Sequence, residues 1–117
     1  MTLILSYFTA KDPIEISALR QVFGAHAEHL AVSATKSMHG HSLGAVGAME
    51  ALITVLALAR KAIPPTAHLE QVAEDCLGVQ HVMGSGLRDV PLQAALSNSF
   101  AFGGSNAVLA FRASSDA

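Results

Sequence analysis

The apolar run at residues 42–59 constrains the fold most, because it carries a single charged residue, Glu50, in an otherwise uncharged stretch. A membrane span needs about 20 apolar residues, and a carboxylate at its centre costs a few kcal/mol. Apart from Thr54, only residues 51–59 are continuously apolar. We therefore predict that residues 41–62 form a buried helix of a protein interior, not a membrane span. In such a helix Glu50 either reaches solvent or is met by a cation, for which Lys36 is the nearest candidate in sequence.

The composition indicates a surface that needs covering. Hydrophobic residues make up 51% of the 117 residues and charged residues only 14%, whereas about a quarter of an average soluble protein is charged. We expect a second copy, another chain or a missing N-terminal part to cover apolar surface, so a homo-oligomer or such a complement is predicted. A self-sufficient alanine-rich domain is the alternative.

Charge and cysteine content exclude some classes of function. The net charge is −2 and no cluster of lysines and arginines offers a phosphate-binding surface, which argues against nucleic-acid binding. Cys76 is the single cysteine, so no internal disulfide can form and a cytoplasmic location is predicted. The apolar N-terminus has no basic region before it and does not have the form of a signal peptide.

Local signals predict a layered α/β fold. A helix is expected over residues 12–23, because Asp12 can cap it, Pro13 suits its first turn and Gly24 can end it. Strands are predicted at 30–33, near 80–86, at 94–99 and at 107–112. Strands that alternate with a buried helix are typical of α/β layers. Residues 113–117 are expected to be disordered.

His41 is the first candidate for chemistry, because it follows Gly40 and opens the predicted helix. Backbone N–H groups at a helix start favour a neutral imidazole or a bound anion. A neutral imidazole can donate its ring N–H to a carbonyl oxygen that gains negative charge. Lys36 can set the charge of such a site or pair with Glu50. A capping histidine in a tight turn is the alternative, and spacing alone favours it.

The segment SFAFGGSN is the second candidate. Gly103 and Gly104 allow backbone N–H groups to converge on a ligand, as an oxyanion hole requires. Phe100 and Phe102 fall on one face of an extended segment and can line an apolar pocket. A β-hairpin with a Gly-Gly turn is the simpler alternative.

No metal or cofactor is predicted. His39 and His41 are two residues apart, and His26 and His29 three, but no HExxH or paired-cysteine pattern accompanies them. Cys76 follows two acidic residues, and neighbouring carboxylates raise the pKa of a thiol, which opposes a nucleophilic role.

Three segments together resemble one family. They are DPIEISAL, TKSMHGHSLGAVGAME and LSNSFAFGGSNAVLAF. In combination they are similar to the C-terminal part of the β-ketoacyl-acyl carrier protein synthases, condensing enzymes of the thiolase superfamily that act in fatty-acid and polyketide synthesis. The resemblance implies a thiolase-like α/β fold, part of a C-terminal half, with a buried central helix and a mixed sheet. It divides the chain into a non-matching segment 1–11, a domain 12–112 and the tail.

The resemblance also implies roles for individual residues. His41 would be the second active-site histidine, which helps to bind the malonyl thioester and stabilises the enolate formed on decarboxylation. Lys36 would lie beside it, with Glu50 as its acidic partner. Phe102 would gate the acyl pocket and give a backbone N–H to the oxyanion hole. The other matched positions are Phe100, Gly103 and Gly104 in the same loop and the acidic pair Asp12 and Glu15.

The chain departs from the family at two catalytic positions. The nucleophilic cysteine belongs to an N-terminal portion that is missing here, and Cys76 does not match it. Ile4 stands where the first active-site histidine would be. For the whole enzyme the resemblance implies decarboxylative Claisen condensation, with acyl carrier protein and acyl and malonyl thioesters as partners. The isolated chain is predicted to be inactive, and a non-catalytic interaction module that keeps the fold is the alternative.

Overall fold

The structure is a computed structural model that describes the backbone of residues 2–5 and all of residues 12–114. The strands in this part of the chain are β1 (Thr2–Leu5), β2 (Leu30–Ser33), β3 (Gln80–His81), β4 (Ala94–Phe100) and β5 (Asn106–Arg112). The α-helices are α1 (Asp12–Phe23), α2 (Lys36–His39) and α3 (Val46–Arg60). Short 3-10 helices lie at Gly24–His29, Leu43–Ala45 and Glu74–Cys76.

The five strands form one mixed sheet in the order β3-β2-β1-β4-β5. β1 lies in the middle, parallel to β2 and to β4, with Thr2 opposite both Leu30 and Ala94. β3 is parallel to β2, and β5 closes the other edge antiparallel to β4. The predicted mixed sheet is confirmed, and β1 adds a strand that was not predicted.

Helices cover both faces of this sheet. Val32 of β2 packs with Ile16 of α1 in one hydrophobic cluster. Its neighbour Ala31 packs with Ala57 of α3 in another. Because successive residues of a strand point to opposite faces, α1 and α3 lie on opposite sides of the sheet. The predicted α/β class is therefore confirmed.

Helix α1 begins and ends where it was predicted, whereas α3 is shorter than expected. The predicted helix started at His41, but Leu43 has a φ of 52°, which an α-helix cannot contain. The α-helix therefore begins at Val46, after one 3-10 turn. It ends at Arg60, because Lys61 adopts the left-handed conformation with a φ of 50°.

Only one face of α3 is buried within the described residues, although its all-round apolar sequence predicted burial on every side. The buried residues are Glu50, Thr54, Ala57 and Leu58. Leu52 is 61% exposed, and Val55 and Leu56 are exposed as well. The reason is that the sheet covers a single side of the helix. By length and composition the stretch Leu43–Arg60 is long and apolar enough to cross a membrane, a criterion that core helices of soluble proteins also meet, and 22% of it is buried.

Both ends of the chain bear on the predicted boundaries. The Ala113 N–H donates to the Gln93 carbonyl at 2.9 Å and continues the β4–β5 pairing, so the disorder predicted from residue 113 is not seen there. Residues 115–117 lie outside the described part. The domain limits of 12–112 stay a prediction, and the preceding segment contributes β1.

Candidate functional site

An ion pair between Lys36 and Glu50 forms the charged centre of the candidate site. The Lys36 Nζ donates to Glu50 Oε1 and so connects α2 to α3. The Glu50 side chain is 3% exposed and that of Lys36 17%. A carboxylate at this depth is costly unless a cation compensates it. The pairing predicted from the sequence is present.

The turn that carries Lys36 is fixed to the loop that follows α3. The Ala34 N–H donates to Thr66 Oγ1 at 2.9 Å, and the Ala67 N–H donates to Ser37 Oγ at 2.7 Å. Small hydroxyl side chains thus connect the two segments, and the Thr66 hydroxyl satisfies the Ala34 N–H, which would otherwise be a buried donor without a partner. These two hydrogen bonds hold the backbone that carries the Lys36 ammonium.

His41 lies in the loop between α2 and α3, and not in the first turn of a helix as predicted. Its Nδ1 accepts a hydrogen bond from the Leu43 N–H at 3.0 Å. A nitrogen that accepts this bond carries no proton. We therefore assign the single N–H of the neutral imidazole to Nε2. The imidazole is exposed and borders a cavity. The alternative of a histidine that caps a tight turn is therefore correct as local structure. The Nε2–H lies on the side of the ring opposite the capping bond at Nδ1.

The segment SFAFGGSN forms the end of β4 and the hairpin loop to β5. The Ala101 N–H donates to the Ser105 carbonyl at 2.8 Å and closes the loop. Gly103 and Gly104 both have a φ of 84°, a conformation that side chains disfavour. The hairpin alternative is confirmed. Phe102 at its tip is 93% exposed, so its aromatic ring has almost no packing against the described residues.

A cavity of about 490 Å³ brings most of the predicted residues together. It is bounded by α2, the loop after it, the first turns of α3, the end of β4 and the hairpin loop. The predicted residues that line it are Lys36, His41, Glu50, Phe100 and Phe102. Gly103 and Gly104 belong to the same loop without lining the cavity, and Asp12 and Glu15 lie outside it.

The acidic pair nevertheless connects to the site. Asp12 and Glu15 are buried in the first turn of α1. Asn98 Nδ2 donates to Glu15 Oε1 at 2.9 Å, and Asn98 lines the cavity. The side chain of Glu15 thus holds the end of β4 against α1. Sequence reasoning missed Asn98, although a polar Asn-Ser pair inside an apolar strand was an available signal.

Cys76 lies away from this cavity and is buried. Burial raises the pKa of its thiol, and the neighbouring Asp75 and Asp12 carboxylates raise it further. The direction agrees with the sequence prediction, and the thiol is poorly suited to act as a nucleophile.

Comparison with known sequences places these features in a family. The profile of the β-ketoacyl synthase C-terminal domain matches residues 8–70. The 3-oxoacyl-[acyl-carrier-protein] synthase 2 of Coxiella burnetii (strain RSA 493 / Nine Mile phase I) is 47% identical over 100 residues, 86% of this chain and 24% of that protein. Nodulation protein E of Rhizobium sp. (strain N33) is 44% identical over 103 residues, 88% of this chain and 25% of that protein. The chain spans about a quarter of the length of these relatives.

Solved structures agree with the sequences. One, of a type II polyketide synthase acyl carrier protein in complex with its ketosynthase bound to the hexaketide, has a TM-score of 0.88 and 27% identity, over 97% of this chain and 28% of that one. A β-ketoacyl synthase from Burkholderia phymatum STM815 has a TM-score of 0.84 and 33% identity, over 96% of this chain and 27% of that one. The thiolase-like fold is confirmed. Profile, relatives and fold together show that the chain belongs to the β-ketoacyl synthase family and carries features of its C-terminal domain.

Proposed function

We propose that this chain forms the malonyl-binding half of a condensing-enzyme site, in 3-oxoacyl-acyl carrier protein synthesis of the fatty-acid or polyketide type. One observation carries the proposal. His41, with its proton on Nε2, borders the same cavity as the Lys36–Glu50 pair and the Phe102 loop. A ring N–H aimed at a thioester oxygen is the donor that an enolate requires.

The chemistry assigned to these residues follows from charge. When a malonyl thioester loses CO₂, the bond to the carboxylate breaks and its electron pair moves onto the thioester oxygen as an enolate. His41 donates its Nε2–H to that oxygen. The Lys36 ammonium donates its hydrogen bond to Glu50, so it contributes positive potential to the site and does not act as a base. The Phe102 loop supplies an apolar wall for the acyl chain and a backbone N–H for the oxyanion.

The acyl nucleophile comes from elsewhere in this proposal. Cys76 is buried away from the cavity and holds its proton tightly. A separate polypeptide segment that bears the catalytic cysteine therefore has to cover the open side of the cavity. The exposed apolar residues Leu52, Val55 and Leu56 of α3 offer the surface for it. By itself the chain is expected to be inactive.

The partners follow from the same site. Acyl carrier protein, acyl thioesters and malonyl thioesters are the proposed partners, and assembly with a second chain is proposed from the exposed face of α3. Glu50 is paired with a lysine from another element, which supports a helix packed in protein and not a membrane span. A single unpaired cysteine supports a cytoplasmic location.

The test is a complementation assay. The chain is mixed with a relative such as the Coxiella burnetii synthase from which the matching C-terminal quarter has been deleted, together with acyl- and malonyl-carrier protein. We expect 3-oxoacyl product only when both polypeptides are present. His41→Ala should lower the rate by about 100-fold, the typical cost of an oxyanion donor, and the exposed His26→Ala should not change it.

A second candidate function is a non-catalytic assembly module, which the exposed face of α3 favours. It predicts a stable complex with the deleted relative and no product. Product formation that is insensitive to His41→Ala would contradict the catalytic proposal while leaving the complex intact.

A further inference from the structure

His39 is a half-buried histidine to which the proposed chemistry gives no role. Its Nδ1 lies 2.8 Å from the Gly40 carbonyl oxygen, and its Nε2 lies 3.1 Å from Thr35 Oγ1. A carbonyl can only accept, so Nδ1 carries the proton and Nε2 accepts from the Thr35 hydroxyl. Both ring nitrogens are therefore engaged, and His39 has no nitrogen left for a metal that His41 might share.

The Thr35 hydroxyl binds His39 and does not cap the helix. It precedes α2 at the N-cap position, where a threonine hydroxyl normally accepts a backbone N–H of the helix. Here the hydroxyl makes no capping bond and donates to His39 at the far end of the same turn. Thr35 is 1% exposed, so the hydroxyl is shielded from competing water.

Gly40 is held at both of its peptide groups. Its N–H donates to the Lys36 carbonyl at 2.8 Å, and its carbonyl accepts from His39. With φ at 77° and ψ at −179°, the residue occupies a conformation open essentially to glycine alone. The Gly40 carbonyl belongs to the peptide group that leads into His41, so a bond to this oxygen fixes the plane of that peptide group.

We propose that His39 is a positioning residue for His41. The hydrogen bonds from Thr35 to His39 and from His39 to Gly40 fix the peptide group before His41, and thereby hold the His41 imidazole where Nδ1 accepts from Leu43 and Nε2 keeps the proton. The significance for catalysis rests on the function proposed for His41, whereas the effect on its tautomer does not.

The experiment reads the tautomer directly. The full chain, labelled with ¹⁵N-histidine, is studied by long-range ¹H–¹⁵N correlation at a pH where the ring is neutral, and the Leu43 amide proton is followed in parallel. We expect the Nε2–H form of His41 in the native chain. His39→Phe, which keeps a ring but no hydrogen bonds, should produce a mixture of tautomers and an upfield shift of the Leu43 amide. His39→Asn, whose amide can replace the Nδ1–H, should restore the native pattern.

Two further variants complete the design. Thr35→Val keeps the volume of the side chain and removes the hydroxyl that keeps the His39 proton on Nδ1, a selection that an asparagine amide does not need. It should therefore reproduce the His39→Phe spectrum, and it tests the proposal even if His39→Phe does not fold. His26→Phe is the matched control at an exposed histidine and should leave the signals of His41 unchanged. The proposal is overturned if the native His41 is protonated on Nδ1, or if His39→Phe or Thr35→Val leaves the Nε2–H form intact.

Binding of a non-hydrolysable malonyl pantetheine analogue separates this proposal from the proposed function. His39→Phe should weaken that binding by about fivefold, the factor of one ordinary hydrogen bond, and His39→Asn should recover it. Failure of the native chain and of its complex with the deleted synthase to bind the analogue would count against the proposed function, whereas the tautomer would still decide the role of His39.

Discussion

Glu50 accepts a hydrogen bond from the Lys36 ammonium through Oε1, while its other oxygen, Oε2, is buried with no hydrogen-bond partner among the described residues. Lys36 is therefore the principal compensation for a carboxylate placed in an apolar helix. The two residues therefore act as a unit, in which the buried carboxylate is costly without its cation.

Replacing one partner of this pair should destabilise the chain strongly. Lys36→Met leaves a buried carboxylate without its cation, and we expect a loss of about 3 kcal/mol in the free energy of unfolding. The double variant Lys36→Met/Glu50→Gln removes the charge as well and should recover most of that loss. Urea denaturation of the native chain and both variants measures the effect. Equal destabilisation in the single and double variants would contradict a role for the uncompensated charge.

Phe102 should matter for ligand binding and not for stability. Its ring is almost fully exposed, so Phe102→Ala is expected to change the free energy of unfolding by less than about 0.5 kcal/mol. Phe111 packs against the cluster between α3 and the sheet, and Phe111→Ala should cost about 3 kcal/mol. Thermal denaturation measures the stability of the two variants, and acyl-pantetheine binding measures the role of Phe102 in holding a ligand. A destabilisation of the same size in both variants would show that the Phe102 ring is packed.

Two glycines in one loop should respond differently to alanine. Gly84 and Gly86 both have positive φ, but a Cβ at Gly84 meets nothing nearby, whereas a Cβ at Gly86 would overlap the Ile63 carbonyl oxygen. We expect Gly84→Ala to cost about 1 kcal/mol from backbone strain alone. Gly86→Ala should cost clearly more, because the obstacle is backbone. Chemical denaturation of the pair measures the difference, and equal costs would contradict the close approach of the two segments.

The thiol of Cys76 should make stability fall at alkaline pH. Burial, Asp75 and Asp12 raise its pKa in the folded chain, so the unfolded thiol ionises first as the pH rises. The stabilisation is complete below the ordinary thiol pKa and is lost as the pH passes from there through the raised value. Cys76→Ala should remove this component of the pH dependence. Unfolding curves across the alkaline range test the sign, and a native chain that gained stability there relative to Cys76→Ala would refute it.

The exposed face of α3 should be needed for assembly and not for folding. Leu52→Glu is expected to change the unfolding free energy of the isolated chain by less than about 0.5 kcal/mol, since the side chain is already in water. It should abolish complex formation with the deleted synthase, as judged by sedimentation. Ile14→Glu is the matched control, an exposed apolar residue on α1, and should leave the complex unaffected. Equal loss of the complex in both variants would argue against a specific interface.

The elements with clear local signals were predictable. The Asp-Pro start and Gly24 end defined α1, and the small and β-branched residues at 30–33 defined β2. The glycine turn divided β4 from β5. Helix α2 was missed because a single turn is too short to show a period. The start of α3 was misplaced because a left-handed leucine, Leu43, has no sequence signal.

For the site, a lone acid in an apolar helix needs solvent or a cation, and the family resemblance selected the Lys36–Glu50 contact from these alternatives. The sequence also brought His41 and Phe102 into consideration. It did not predict the contact from Asn98 to Glu15 or the one from His39 to Gly40. The first joins residues far apart in sequence, and the second depends on ring orientation, which no residue pattern encodes.

The position of β1 has a consequence for synthesis on the ribosome. Within this chain the middle strand of the sheet precedes the strands on both sides of it, and Thr2 can pair with Ala94 only after the intervening residues have been synthesised. Until then one edge of β1 carries unpaired backbone groups, which is where nascent chains aggregate. Because this pairing joins residues far apart in sequence, we expect the contact between β1 and β4 to form late in folding.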